Sequence, residues 1–239
     1  MKKLGILGGM GAEATSLFYK KIIQNTPVNC DQDHIPTIMI NETTLPDRSY
    51  YIINNQLDEL GQKIHKIGLN LQNAGADYIV MPCNTVHVFL PYLKSLNIPI
   101  IDMIQETANN LKEKEITHVG ILATTATLKS NLYQNKLNSI GIETVLPSNT
   151  DQDMVMKVIF DIKAGHSKKV AKEKLDSIIN QFQSKNIQHI VLGCTELPLI
   201  IKTHPHFQLH DPLDILAKVC INYSQEKTTS LEKQHKQYA

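Results

Sequence analysis

Two cysteines occupy matching places in this chain, each at the end of a short apolar run. Asp77-Tyr-Ile-Val-Met-Pro-Cys83 continues into Asn84-Thr85-Val-His87, and His189-Ile-Val-Leu-Gly-Cys194 continues into Thr195-Glu196-Leu-Pro198. A thiol, with a reference pKa of about 8.5, can be held as acid or as base after modest tuning by helix N-termini and backbone N–H groups. Two thiols on opposite sides of one carbon can remove a proton from one face and supply one to the other, which inverts the carbon. Running the reaction backwards exchanges their roles. A lone cysteine is as well explained as a small buried hydrophobe, and the duplication is what argues against that reading. His87 could activate Cys83 as a nucleophile. It is equally suited to capping carbonyls, and Pro198 stands at the matching place in the second run.

The elements that position these thiols are legible. Ile79, Val80 and Met81 have the composition of a strand covered on both faces, and Pro82, lacking an N–H, ends regular pairing near Cys83. In an open α/β sheet such an end faces the ligand crevice. The chain begins with a strand over 4–7, a turn at Gly8-Gly-Met10-Gly11 and a helix over 12–25. Glycines there let backbone N–H groups approach an anion. The dinucleotide spacing is absent, because Gly9-Met-Gly-Ala-Glu-Ala14 ends in alanine, and a small carboxylate fits the same geometry. A strand over 35–40 leads into an irregular loop at 41–49. In it Arg48 either pairs with adjacent Asp47 or turns inward to grip a carboxylate. A helix over 57–73, with Leu60, Ile64, Ile67 and Leu71 as its buried stripe, feeds the Cys83 strand. A short helix to Leu93, a strand at 98–101 and a helix from Asp102 close the first unit.

The second unit repeats the first. Thr117-His-Val-Gly-Ile-Leu-Ala-Thr124 echoes Gly5-Ile-Leu7, and the interval from Gly120 to Cys194 nearly equals that from Gly5 to Cys83. Self-similarity at this distance implies duplicated domains whose cysteines face a common cleft. Thr124, Thr125 and Thr127 take the place of the glycine turn; one suffices to cap the following helix, and the others can turn toward a ligand. A strand follows at 141–145, then a helix over 152–160 that ends or breaks at 161–165. Lys163, in that break, is equally an ordinary solvated lysine. A helix over 170–182 places Val170, Leu175, Ile178, Ile179 and Phe182 inward. A helix over 211–219 packs back on the first half, and 224–239 reads as a loose helix or disordered tail. The domains expected are 1–103 plus 208–239, and 104–207.

Composition narrows the partners. The 239 residues are 42% hydrophobic, with 24 basic and 23 acidic side chains and a formal charge of +1, so no nucleic-acid footprint is expected. No apolar run approaches the roughly 20 residues of a membrane helix. No secretory signal precedes the four cysteines, so a reducing cytoplasm is expected. Neither Cys-x-x-Cys nor His-Glu-x-x-His occurs, and no metal is expected.

Three motifs, Gly5-Ile-Leu-Gly-Gly-Met-Gly11, Met81-Pro-Cys-Asn-Thr85 and Leu192-Gly-Cys-Thr-Glu-Leu-Pro198, resemble those of the aspartate/glutamate racemase family, most closely its aspartate racemase branch. The resemblance spans about residues 1–220. It implies an α/β fold of two similar pseudosymmetric domains, each a mostly parallel sheet flanked by helices, with the active site in the cleft between them. It also implies racemisation of a free amino acid without pyridoxal phosphate or another cofactor, by a homodimer. By the same resemblance Cys83 and Cys194 are the two bases, and Asn84, Thr85 and Thr195 bind the α-carboxylate or amino group. Met10 and the turn residues Thr124 and Thr125 join them, while Arg48 and Lys163 hold the side-chain carboxylate. Glu196 is a supporting residue that hydrogen-bonds the nearby backbone or raises the pKa of Cys194. Glutamate racemases generally begin with an aspartate-serine turn and carry histidine after the second Cys-Thr. Gly8-Gly9-Met10 and Glu196 therefore favour aspartate as substrate. Other readings are a glutamate or broad-specificity racemase, an isomerase or decarboxylase using one thiol, and a nonenzymatic dicarboxylate sensor.

Overall fold

Alternating apolar strands and amphipathic helices produce two parallel sheets of the same design. The structure, a computed structural model, describes residues 1–225. The first half runs β1 (Leu4–Gly8), α1 (Ala12–Asn25), β2 (Thr37–Asn41), α2 (Arg48–Ile53), α3 (Leu57–Asn73), β3 (Tyr78–Val80), a 3-10 segment (Thr85–Leu93) and β4 (Ile100–Ile101). The second runs α4 (Met103–Glu113), β5 (His118–Ala123), α5 (Thr125–Lys129), α6 (Leu132–Asn138), β6 (Glu143–Val145), α7 (Asn149–Lys163), α8 (Lys168–Gln181), β7 (His189–Gly193) and β8 (Gln208–His210). α9 (Pro212–Gln225) then packs on α1 and α4. Strand orders are β2-β1-β3-β4 and β6-β5-β7-β8, all parallel.

Each sheet is covered on both faces. Tyr78 and Val80 pack with Phe18, Leu213 and Leu216, while Ile79 and Met81 point the other way, onto Leu60, Ile64 and Leu71 of α3. In the second sheet Ile190 and Leu192 meet the α7 and α8 side chains, and Val191 meets those of α4 and α6. This is the alternation a pleated strand requires. The stripe expected on α3 is buried as a whole, and each such Leu or Ile contributes about 1.5–3 kcal/mol.

Three local differences from the sequence reading have simple causes. Val170 is 47% exposed and Ala171 is buried in its stead, because the inward series 171, 175, 178, 179, 182 keeps helical spacing and position 170 falls one residue off it. Residues 208–210, assigned from sequence to the first half, form β8 beside β7; the return to the first half begins at α9. The loop at 41–49 is shorter than expected, since Arg48 already opens α2 with Asp47 as its N-cap, accepting from the Tyr50 N–H at 3.1 Å. Most of the tail expected at 224–239 lies outside the described residues, although Ser224 and Gln225 are the last residues of α9. The four cysteines are unpaired: Cys30 is exposed, and the others are buried. Among the described residues no helix is long and apolar enough to cross a membrane.

Candidate active site

Both thiol strands are central, and both lie next to the opening strand of their own sheet. Gly5 of β1 is in register with Ile79 of β3, and Gly120 of β5 with Ile190 of β7. The chain reverses its winding between these neighbours, so their carboxyl ends open into the crevice where α/β sheets take ligands. Cys83 and Cys194 follow those ends, and both line one small cavity of about 10 Å³ between the halves. From the first half Met10, Arg48, Asn84 and Thr85 line it; from the second, Thr124, Lys163, Thr195 and Glu196 do.

The turn before α1 is shaped by glycine. Gly9 has φ +95°, and a β-carbon there would lie 2.3 Å from the Glu42 carbonyl carbon. Its N–H donates to Thr15 Oγ1 at 3.1 Å, so this amide is committed within the protein and Met10 is what the turn presents to the cavity.

The two basic residues both reach the cavity, Arg48 from within and Lys163 from its rim. Arg48 is buried and donates from Nη1 to the carbonyls of Leu45 (3.2 Å) and Pro46 (2.9 Å), while its Nε is buried without a partner. Asp47 is occupied as a helix cap, and the inward alternative is the one the structure adopts. Lys163, the last residue of α7, is exposed along its chain but turns its Nζ to Glu196 Oε1 at 3.8 Å, so its charge stands at the rim of the cavity as well as in solvent.

Glu196 is buried beside the second thiol. Its Oε2 accepts from Cys194 Sγ at 3.0 Å and from Thr195 Oγ1 at 3.3 Å. Burial pushes the Cys194 thiol well above its ordinary value; the Glu196 charge pushes it further, against Lys163. Burial also raises Cys83, but Arg48 opposes that rise more strongly than Glu196 reinforces it. Burial draws Lys163 down, yet Glu196 and the two sulfurs outweigh it, so its pKa is raised and the ammonium is retained.

The threonines divide. Thr85 Oγ1 lies 2.9 Å from both Thr124 Oγ1 and Thr127 Oγ1, which are 2.9 Å apart, a closed triangle of hydroxyls joining the two halves. Thr124 also caps α5, accepting from the Thr127 N–H at 3.2 Å. Thr125 turns away: its hydroxyl accepts from Gln152 Nε2 at 3.1 Å, and it does not line the cavity. His87 is no activator of Cys83. Its Nε2 accepts from the Met103 N–H at 3.1 Å, so the ring proton sits on Nδ1 and is donated to the Cys83 carbonyl at 2.8 Å. Burial lowers its pKa and keeps it neutral.

Outside the small cavity lies a cleft of about 520 Å³ lined by Gly11, Glu13, Leu45 and Leu199. Asp47, Arg48, Lys163 and Glu196 border both spaces. Glu13 of α1 and Lys168 of α8 form an ion pair joining the two halves, and Glu13 lines this cleft. Among the described residues no group of three or more His, Cys, Asp or Glu side chains could hold a metal ion.

The sequence pattern of Asp/Glu/hydantoin racemases matches residues 7–220. The chain belongs to that family. An aspartate racemase from Picrophilus torridus superposes with a TM-score of 0.85 at 33% identity, covering 95% of this chain and 96% of that one. An aspartate racemase homologue from Pyrococcus horikoshii OT3 gives 0.77 at 26%, covering 95% and 100%. A broad-specificity amino-acid racemase from Bacillus subtilis (strain 168) is 28% identical over 234 residues, 94% of this chain and 97% of that protein. In this member of the Asp/Glu racemase family, Ser49 and Tyr133 belong to the site without having been read from the sequence. Ser49 lines the cavity, and Tyr133 donates to Asn84 Oδ1 at 2.5 Å. Ser49 had a signal, since it follows Arg48 directly; Tyr133 had none, because its contact spans 49 positions.

Proposed function

We propose that this protein interconverts L- and D-aspartate by moving the α-proton between Cys83 and Cys194, with no cofactor. The observation that carries the reading is the unequal treatment of two thiols lining one cavity. Glu196 holds Cys194 as the thiol, while Arg48 favours the thiolate at Cys83. Burial raises both thiols, Cys194 the more, so Cys83 is the easier of the two to ionise, the order a two-base inversion needs at its start. Cys83 removes the α-proton, Cys194 delivers one from the opposite side, and the reverse direction begins with the roles exchanged. Polar side chains lining the cavity, Thr85 and Thr195 among them, surround the carbanion-like state, and Asn84 serves to hold the carboxylate.

Arg48 and Lys163 support a dicarboxylic substrate. They are the two cations bordering both spaces, and a guanidinium with a free Nε can grip a second carboxylate. The Picrophilus relative's identity as an aspartate racemase points the same way, whereas the Bacillus relative is a broad-specificity enzyme. One methylene separates aspartate from glutamate, a difference of about 1–3 kcal/mol in discrimination. Incubation of single enantiomers of aspartate, glutamate and several uncharged amino acids in deuterated water tests reaction and substrate together. Aspartate should give the opposite enantiomer carrying deuterium at Cα faster than the others. Absence of exchange with every amino acid would overturn the racemase reading, and faster exchange of an uncharged one would overturn the substrate. A homodimer, implied by the family resemblance, working in the reducing cytoplasm expected from the cysteines completes the proposal; light scattering and cell fractionation test it.

A further inference from the structure

Tyr133 touches both thiol-bearing turns. It lies on α6 in the second half with no exposed surface. Its ring packs beneath Gly193, the residue before Cys194, so closely that a β-carbon built on Gly193 would sit 3.2 Å from Cε2. Its hydroxyl reaches across to the first half and donates to the side-chain oxygen of Asn84, the residue after Cys83, at 2.5 Å. The direction of that bond follows from the groups. An amide oxygen only accepts, and burial raises the phenol's pKa, so the proton stays on the tyrosine.

The other end of the amide is what makes the contact consequential. Asn84 Nδ2 is buried and has no partner, and Asn84 lines the inner cavity. A buried N–H left unpaired costs about 1–3 kcal/mol. A ligand carboxylate in the cavity would remove that cost. With the amide reversed, the cavity would be lined by the oxygen, which repels a carboxylate. The neighbouring Thr85 is held from the same side by Thr124 and Thr127, so the second half fixes both polar residues that follow Cys83.

We infer that Tyr133 is a positioning residue: its hydroxyl fixes the Asn84 amide with Nδ2 toward the cavity, as a donor to the substrate carboxylate. The identity of the ligand rests on the racemase reading above, whereas the orientation of the amide does not.

Tyr133→Phe keeps the ring against Gly193 and removes only the donor. The carboxylate is bound alike in ground and transition states, so the variant should raise KM for aspartate by about five- to tenfold with kcat within about threefold. In an Asn84→Ala background Tyr133→Phe should change nothing further. An unchanged KM, or an effect that persists in the Asn84→Ala background, overturns the inference. A second measurement needs no turnover. The Asn84 side-chain amide protons, identified by their loss in Asn84→Ala, should shift and exchange faster with solvent in Tyr133→Phe. Unaltered resonances overturn the inference even if the wild-type protein racemises aspartate. Conversely, a wild type that exchanges no α-proton refutes the racemase reading while the resonances still decide the role of Tyr133.

Discussion

The Cys194 thiol donates to Glu196 Oε2 at 3.0 Å, whereas at Cys83 the Arg48 charge, which favours the thiolate, outweighs that of Glu196. Symmetry of the fold is thus broken in the electrostatics of the two sulfurs. Burial acts on both, and the carboxylate adds most to the second.

Neutralising that carboxylate has a defined sign. A raised pKa keeps Cys194 protonated to higher pH, so the direction in which it donates a proton loses rate only as pH climbs through that raised value. The opposite direction needs the proton on Cys83 instead, a form with the same total number of protons, so it loses rate over the same range. Glu196→Gln removes a cause of the rise, and the alkaline limb should move to lower pH by the same amount in both directions. Profiles of kcat/KM against pH, recorded separately from each enantiomer, check this.

Replacing either sulfur should cost more than any other single change. Cys83→Ser and Cys194→Ser should each reduce racemisation by about 10²–10⁴-fold, the usual contribution of a positioned acid or base. Circular dichroism should show both variants folded, because serine fills the same small buried volume. Retained turnover in either variant removes that residue from its assigned role.

Arg48→Lys separates charge from geometry. Lysine keeps the positive charge but cannot bond the Leu45 and Pro46 carbonyls while also presenting a fork. KM for aspartate should rise roughly 10- to 100-fold, the worth of a charged hydrogen bond, with uncharged amino acids affected far less. Steady-state assays with both substrate types decide it, and equal effects would place Arg48 outside side-chain recognition.

The α8 packing gives a test of the fold itself. Leu175→Ala should destabilise by about 2–5 kcal/mol by urea titration, while Val170→Ala should cost about 0.5 kcal/mol or less. Leu175 is fully buried and Val170 half-exposed. A large Val170 effect would show that the inward series has been assigned one position off.

Repeating apolar patterns made much of the fold legible. The helices 12–25 and 57–73 have the boundaries their periodicity predicts, and both cysteines follow their strands as expected. What escaped depends on partners distant in the chain. Val170 differs from Ala171 only in which side of α8 meets the sheet. β8 is three residues long and owes its existence to β7. Beside Asp47 the sequence leaves two directions open to Arg48, and Asp47 is taken up in capping α2. His87 reads as an activator from its spacing, but the Met103 N–H fixes its tautomer away from the sulfur. Thr125 sits one residue from Thr124 and faces another helix altogether.

An inner cavity of about 10 Å³ has room for roughly one water molecule, too little for an amino acid, so the proposed reaction requires the site to widen around its substrate and then exclude solvent. On the two-base reading, this gives the enzyme a memory. After converting one enantiomer, Cys83 holds the proton it took and Cys194 lacks the one it gave. That form is ready only for the enantiomer just made. Resetting needs a proton to pass between the sulfurs through solvent, a step that belongs to the free enzyme and runs alongside each catalytic cycle. At high substrate concentration, resetting rather than carbon chemistry would then limit net conversion of one enantiomer into the other, while label would still pass between them.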